Sequence, residues 1–344
     1  MKHLVLTLVL AFTLALLMAP ADEAAAQKKI TIRATQCFAP THPWQKGMEA
    51  FRDIVEKESG GAIKVEIYAA GQLSGGNIRT MCEQVQAGTL HLLVQSPLGW
   101  AGLVPKSQVY NLPFMFPSNE VGMKMVSESE PSKKALQKIF GGSGVDYMGV
   151  WANGYRQITS SKGVVHEPKD MAGWKVRVPP APILMDIFKE LGTLPVAIST
   201  PEIYTALQQG TVDAQENPIS AIASNKLYEV APYITLWEYC WDPGMVTINS
   251  KFFAGLSDEH KKMVEKGIAE AGKVVNALVT KEDNDFLKVF EDSGCTVYKM
   301  TPEENEVFKQ KMKPIYDKYI PEFGEDVYQT IITEIAKAEE ALKK

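Results

Sequence analysis

The sequence predicts an α/β protein of two lobes with a cleft between them. Strand-like and helix-like segments alternate in the order β-α-β-α-β from Ile30 to Ser96. This order is typical of a largely parallel sheet covered by helices. A second α/β unit follows in the middle of the chain, and the carboxyl-terminal part is strongly helical. Two such units in one chain indicate two lobes rather than one continuous domain.

The first unit is predicted from hydrophobic periodicity. Apolar residues alternate along "ITIRATQCF", and a helix follows over "WQKGMEAFRDIVEKESGG", where a pair of glycines ends it. The segments "IKVEIYAAGQL" and "LHLLVQS" predict two more strands, with the helix "NIRTMCEQVQAG" between them.

The middle unit repeats this pattern. Strands are predicted for "VDYMGVWANG" and "WKVRV", a helix for "PAPILMDIFKELG" and a brief strand for "VDAQE". Before that last strand, Thr200 is predicted to be the N-cap of a helix with Pro201 at its first position.

Capping signals mark the helices of the carboxyl-terminal part. Ser257 is predicted to cap a long helix that runs to the "EDSG" segment, with acidic residues in its first turn. Thr301, Pro302 and Glu304 have the order of a proline-started capping box at the next helix.

The amino terminus predicts export. A short basic start, an apolar run from Leu4 to Met18 and small residues up to Ala26 are typical of a secretory signal peptide over residues 1–26, so we expect a periplasmic protein. An uncleaved anchor is the alternative.

The net charge of −5 gives no basic face for nucleic acid. The four cysteines contain no CxxC pair, and their pairing stays open.

The motif search predicts no catalytic residue, no metal site and no cofactor. The five histidines are scattered, and the sequence contains no H-E-x-x-H, G-x-S-x-G or P-loop motif. An exported enzyme with widely separated catalytic residues is a remaining alternative.

Three polar residues at predicted strand ends suggest an organic-acid site. Arg177 ends the strand "WKVRV" and precedes two prolines, Arg156 lies in "WANGYRQITS", and Asn217 follows the strand "VDAQE". Guanidinium groups bind carboxylates in bidentate geometry, and ligands of open α/β sheets bind at the carboxyl ends of strands. The alternative for Arg177 is an ordinary solvated arginine beside a turn.

The segments "NGYRQITS", "MAGWKVRVP", "STPEIYTALQQGTVDAQENP" and "YEVAPYIT" closely resemble the substrate-binding proteins of TRAP transporters, the tripartite ATP-independent periplasmic family. The resemblance extends to "AGQLSGG", "VQAGTLHLLVQS" and "NLPFMFPS", and so covers nearly all of the chain after the predicted signal peptide. It implies a two-lobe periplasmic binding protein fold with an interlobe cleft, hinge strands and long bracing carboxyl-terminal helices. The implied divisions are residues 27–153 plus 243–282 for lobe I, 154–242 plus 283–312 for lobe II, and 313–344 for a carboxyl-terminal helical region.

The same resemblance implies the site. Arg177 matches the family's carboxylate-clamping arginine, with Arg156 and Asn217 as its companions. Further expected contacts are Gln95 and Ser96 in the first lobe, and Tyr239 and Trp241 near the cleft. Related proteins commonly carry histidine at the position of Tyr239, so this departure affects the expected specificity pocket.

The resemblance implies a transport function without catalysis. The expected partners are a small organic acid and the small and large integral-membrane subunits of a TRAP permease, and the expected state is a monomer. Trp151, Trp237, Tyr239 and Trp241 suggest an aromatic or otherwise apolar 2-oxo or amino acid as ligand. The alternatives are a C4-dicarboxylate or a sugar acid, and a sensory receptor in place of a transport component.

Overall fold

Two separate β-sheets form the centre of the protein. The computed structural model describes residues 29–343, and the predicted signal peptide lies outside this range. The strands are β1 Ile30–Gln36, β2 Ile63–Tyr68, β3 Leu92–Gln95, β4 Val145–Trp151, β5 Tyr155–Ser160, β6 Lys175–Val178, β7 Leu194–Ala197, β8 Ala214–Pro218, β9 Tyr233–Trp241, β10 Gly244–Asn249 and β11 Thr296–Lys299. The first sheet has the strand order β2-β1-β3-β10-β4, and the second has the order β11-β9-β5-β8-β6-β7. We call the halves built on these sheets lobe I and lobe II.

Helices cover both sheets. They are α1 Pro43–Glu58, α2 Ile78–Gln86, α3 Pro97–Trp100, α4 Asn119–Glu128, α5 Glu130–Phe140, α6 Pro182–Glu190, α7 Ile203–Gln208, α8 Ile219–Ser224, α9 Ser250–Ala254, α10 Asp258–Asp292, α11 Pro302–Lys311, α12 Lys313–Phe323 and α13 Glu325–Leu342. The α/β class with two lobes is therefore confirmed.

Each sheet is more mixed than the predicted, largely parallel sheet. Strands β1, β2 and β3 are parallel, as are β6, β7 and β8. Strand β10 is antiparallel to both β3 and β4, and β5 is antiparallel to both β8 and β9. The difference arises at the strands next to the interlobe crossings, because a chain that leaves one sheet and later returns enters it in the opposite direction.

The chain crosses between the lobes at two short segments. Residues 152–154 join β4 to β5, and residues 242–243 join β9 to β10. A third connection is helix α10, which packs on α1 and β4 of lobe I and on α8 and β11 of lobe II. The strands fall on the predicted sides of the lobe boundaries, so those boundaries remain a prediction that strand membership supports.

Close packing holds the long helix against lobe I. A Cβ atom at Gly47 of α1 would lie 2.4 Å from Val275 Cγ2 of α10, so a larger residue has no room there. Helices α4 and α5 of lobe I pack on α13, and α12 contacts both the 105–111 segment and α6. Within residues 29–343, no helix is long and apolar enough to cross a membrane.

The local capping predictions have mixed outcomes. Ser257 caps α10, and Thr301 with Glu304 forms the predicted capping box of α11. The prediction for Thr200 is wrong: a 3₁₀ turn intervenes over Thr200–Glu202, and its N-cap position is Ser199.

All four cysteines are free thiols, and three of them are buried.

A carboxyl group on α10 faces the first interlobe crossing without a partner. A Cβ atom at Gly154 would lie 3.6 Å from Asp283 Oδ2, and Asp283 Oδ1 has no hydrogen-bond partner. Burial, followed by the charges of Glu282 and Glu238, raises the pKa of Asp283 from 3.8 to about 7. Ionising this group therefore opposes folding, and stability falls as pH rises from about 4 to 7.

We expect Asp283→Asn to remove this penalty. At pH 8 the substitution should raise the free energy of unfolding by up to about 4 kcal/mol, while at pH 4 it should change little, because the wild-type group is then protonated in the folded state. Urea unfolding at both pH values measures the difference, with the exposed Asp285→Asn on the same helix as control. An equal effect of Asp283→Asn at pH 4 and pH 8 would contradict the linkage.

Candidate ligand-binding site

A small cavity lies where the two lobes face each other. Its lining is drawn from both sheets and from the second crossing: Cys37, Phe38, Ile78, Gln95, Ser96, Leu98 and Gly99 from lobe I, Arg156, Arg177, Pro179, Thr200 and Asn217 from lobe II, and Asp242 between them. The free volume is about 20 Å³, room for about one water molecule. The lobes are therefore closed on each other, and the predicted residues Gln95, Ser96, Arg156, Arg177 and Asn217 are brought together.

Strand β6 places Arg177 at the cavity. Arg177 is opposite Val196 of β7 and Gln215 of β8 in parallel register, and the strand ends one residue later, before Pro179. The side chain of Arg177 lies at the cavity opposite residues of lobe I, and it is only 1% exposed. The alternative of a solvated arginine beside a turn is therefore wrong.

Arg177 is a buried cation without a neutralising partner. Its Nε donates to the carbonyl oxygen of Ile198 at 2.8 Å, whereas its terminal amino groups have no hydrogen-bond partner among residues 29–343. It also forms no salt bridge with any carboxylate of that range. Burial, together with the nearby positive charge of Arg156, lowers the pKa of Arg177 to about 9, despite the opposing effect of Glu216. An anion placed beside this group would be strongly stabilised.

Arg156, on β5, has a different environment. Its Nε and Nη2 donate to the two carboxylate oxygens of Glu216, and its Nη1 donates to Asp242 Oδ2 at 2.5 Å. Burial alone would lower the pKa of Arg156, but the charges of Glu216 and Asp242 raise it above its ordinary value. Each nitrogen of the Arg156 guanidinium therefore donates to a protein carboxylate.

Asp242 joins the two lobes at the second crossing. Besides Arg156, it accepts hydrogen bonds from the hydroxyl of Ser96 in lobe I, from Asn111 Nδ2 at 3.2 Å and from Asn153 Nδ2 at 3.4 Å. Asn153 belongs to the first crossing. The carboxylate thus connects both crossings with a side chain of each lobe.

The two amides at the cavity differ in how far their polar atoms are satisfied. Asn217 accepts from Arg156 Nη2 at 3.2 Å and donates to Gln215 Oε1 at 2.5 Å. Gln95 accepts from the backbone N–H of Ser96 at 2.8 Å, while its buried Nε2 has no hydrogen-bond partner among residues 29–343. Gln95 therefore offers an unused donor on the lobe I side. Gly99 gives it room, since a Cβ there would lie 2.5 Å from the Gln95 side chain.

The structure places Tyr239 and Trp241 outside the cavity lining, in contrast to the expectation for both. The Tyr239 hydroxyl donates to Glu216 at 2.8 Å, and Trp241 Nε1 donates to Asn119 Oδ1 at 2.9 Å. Tyr239 thereby supports the carboxylate that holds Arg156. The other two aromatic residues expected near the cleft also pack in the interior. Trp151 donates to a carbonyl oxygen of α10, and the ring of Trp237 lies tilted against that of Tyr239, with 4.2 Å between the ring centroids. Phe38 is the aromatic residue of the lining.

Sequence reasoning missed several residues of this site. Asp242 and Glu216 had local signals, an acid at a "DPG" turn and an acid next to Asn217, but nothing in the sequence links them to Arg156. Thr200 was assigned to a helix cap, yet it lines the cavity. Cys37 lines it as an inert thiol, because burial raises its pKa to about 12. Within residues 29–343, no group of His, Cys, Asp and Glu side chains is arranged to hold a metal ion.

Comparison with known proteins identifies the family. Residues 34–322 match the model of the bacterial extracellular solute-binding proteins, family 7. The chain belongs to this family. The resemblance to the TRAP substrate-binding proteins is thereby confirmed.

Several known relatives match this protein along most of its length. It is 29% identical to the C4-dicarboxylate-binding periplasmic protein of Rhodobacter capsulatus, over 88% of this chain and 90% of the relative. A TRAP periplasmic solute-binding protein from Ralstonia eutropha, solved with (S)-2-acetolactate, superposes with a TM-score of 0.85 at 28% identity, over 89% of this chain and 99% of the other. The sugar acid binding protein of Advenella mimigardefordensis, in complex with galactonate, gives 0.85 at 29% identity, covering 90% and 99%.

The two arginines of this solute-binding protein should differ in their effect on stability. We expect Arg156→Met to lower the free energy of unfolding by about 3–5 kcal/mol, because it leaves Glu216 and Asp242 buried without their cation. Arg177→Met should leave stability unchanged or higher, because it removes a buried charge that has no carboxylate partner. Denaturant unfolding of the ligand-free proteins compares them. Equal destabilisation by both substitutions would contradict the assignment of the ion pairs.

Proposed function

We propose that this protein binds a small organic acid between its lobes, with the acid's carboxylate on Arg177, and delivers it to the membrane subunits of a TRAP permease. The observation that carries the proposal is the state of Arg177: a guanidinium that is 1% exposed, lines the cavity and forms no salt bridge within residues 29–343. A carboxylate supplied by a ligand completes that pair.

Arg177 has the geometry for a strong carboxylate contact. Its Nε is held by the carbonyl oxygen of Ile198, which fixes the guanidinium plane and leaves the two terminal amino groups for the ligand. Two parallel N–H···O bonds from these groups are shorter and stronger than neutral hydrogen bonds. In this proposal Arg156 and Asn217 are positioning residues, since their polar atoms are committed to other side chains.

Binding requires movement of the lobes. A free volume of about 20 Å³ is smaller than any organic acid, so the ligand enters only when the lobes separate and is then enclosed as they close. The closed state is favoured because the ligand touches Arg177 in lobe II and Gln95 in lobe I at the same time. The crossings at 152–154 and 242–243 are the proposed hinges.

The ligand is proposed to be small and partly apolar. Phe38, Ile78 and Leu98 supply an apolar wall, and Gln95 Nε2 supplies a neutral donor. These groups support an apolar 2-oxo or hydroxy acid. The expectation of an aromatic acid rested on Trp151, Trp237, Tyr239 and Trp241. None of these four residues lines the cavity. One relative is named for C4-dicarboxylates, and two related structures contain acetolactate and galactonate, so the ligand of each of these proteins is an organic acid.

Delivery to a permease is the transport part of the proposal. It requires an exported protein, and the predicted signal peptide over residues 1–26 supports this. Loss of uptake of the bound acid in cells lacking this protein tests the transport role. A loss of transcriptional response to the acid, with uptake unchanged, would favour the sensory alternative.

We expect Arg177→Lys and Arg177→Ala to weaken ligand binding by at least about 100-fold, because a lone ammonium cannot make the bidentate contact and alanine makes none. The ligand is first identified by mass spectrometry of the small molecules released from the purified protein, and its affinity is then measured by titration calorimetry. The control is Arg79→Lys, at an exposed arginine of α2 paired with Glu83. Unchanged affinity in either Arg177 variant would refute the proposed contact.

A further inference from the structure

We propose that Asp242 restricts the ligand to a single negative charge, so that the site accepts monocarboxylates and rejects dicarboxylates. This inference rests on the proposed function, in which Arg177 receives the ligand's carboxylate. It assigns Asp242 as a specificity-determining residue that acts on the part of the ligand remote from Arg177.

The cavity lining has one basic side chain that is available to pair with a ligand anion. Arg156 and Arg177 are the basic residues of the lining, and Asp242 is its acidic residue. Arg156 is already shared between Asp242 and Glu216, both of which are completely buried. Arg177 forms no salt bridge among residues 29–343, although the charge of Glu216 acts on it. One ligand carboxylate therefore uses the only cation that the lining leaves unpaired.

The carboxylate of Asp242 is surrounded by hydrogen-bond donors. They are the hydroxyl of Ser96, the amide nitrogens of Asn111 and Asn153, and the guanidinium of Arg156. A carboxylate accepts about four hydrogen bonds, so these four donors fill its acceptor positions.

A second ligand carboxylate would therefore be unpaired. Its surroundings would be the apolar wall of Phe38, Ile78 and Leu98 or the vicinity of Asp242, and neither supplies a cation. A buried charge without a partner is strongly disfavoured, and a like charge nearby adds repulsion. Asp242 repels it through its electric field alone, because its own acceptor positions are filled.

An uncharged polar end suits the same region. Gln95 Nε2 is buried, unpartnered and assigned as the donor nitrogen, because Gln95 Oε1 accepts from the backbone N–H of Ser96. A carbonyl or hydroxyl oxygen of the ligand would accept from it. The expected class is therefore an oxo or hydroxy monocarboxylate, in contrast to the C4-dicarboxylates for which the Rhodobacter capsulatus relative is named.

Matched ligands of three to six carbons test the charge rule. Calorimetry on the wild-type protein compares oxo and hydroxy monocarboxylates with dicarboxylates of equal length, and includes the pair succinate and succinamate, which differ mainly by one charge. We expect every dicarboxylate to bind at least tenfold more weakly than its monocarboxylate counterpart, or not at all. A dicarboxylate that binds as tightly as its matched monocarboxylate would overturn the proposal without any variant being made.

The substitution Asp242→Asn then tests whether this residue causes the preference for monocarboxylates. It removes the charge at nearly constant shape, and we expect the preference for monocarboxylates to shrink at least tenfold. The matched control is Asp146→Asn, because Asp146 also accepts a serine hydroxyl, that of Ser250 at 2.7 Å, but does not line the cavity. Circular dichroism verifies that each variant is folded. A folded Asp242→Asn protein with the wild-type preference would show that Asp242 does not set it.

The outcomes separate this inference from the proposed function. If dicarboxylates bind and Arg177→Ala abolishes that binding, the carboxylate contact stands and the charge rule fails. If no carboxylate binds and the co-purifying ligand is not an acid, the proposed function itself fails, and the charge rule fails with it.

Discussion

The buried ion pairs of Arg156 are the interaction on which the rest of the site depends. They join β5 to β8 through Glu216, and β5 to the second crossing through Asp242. All three side chains are nearly or completely buried, so each carboxylate is tolerable only while the guanidinium is present. Tyr239, Ser96, Asn153 and Asp242 all bond within this network. It therefore links both crossing segments to side chains of the two lobes.

The network also explains why two arginines in one cavity have different roles. Glu216 and Asp242 form ion pairs with Arg156, whereas Arg177 forms none among residues 29–343. A buried cation without an ion pair costs stability in the free protein, and in the proposed function a ligand carboxylate recovers that cost on binding. Under this proposal, part of the free energy that closes the lobes comes from Arg177, since it is best satisfied when the ligand and lobe I surround it.

Local signals in the sequence predicted local structure well. Ser257 and the Thr301 capping box were predicted correctly, because a cap depends on residues three or four positions apart. The prediction for Thr200 failed because Ser199 takes the N-cap position of a 3₁₀ turn that precedes the helix. Of the residues that line the cavity, Arg156, Arg177, Asn217, Gln95 and Ser96 were singled out from the sequence. The two carboxylate partners of Arg156 were not, since Arg156 is 60 residues from Glu216 and 86 from Asp242, and no periodic pattern connects such distances.

Charge is a more effective basis for ligand selection in this cavity than shape. A monocarboxylate and a dicarboxylate of equal chain length differ little in volume, and a difference of one methylene group is worth only about 1–3 kcal/mol. Burying a charge that lacks a partner costs more than this, because the penalty includes desolvation as well as repulsion. A carboxylate at position 242 therefore discriminates without narrowing the cavity. Since Asp242 also holds Arg156 and both crossings, the group that repels a second charge is part of the structure that the lobes close around.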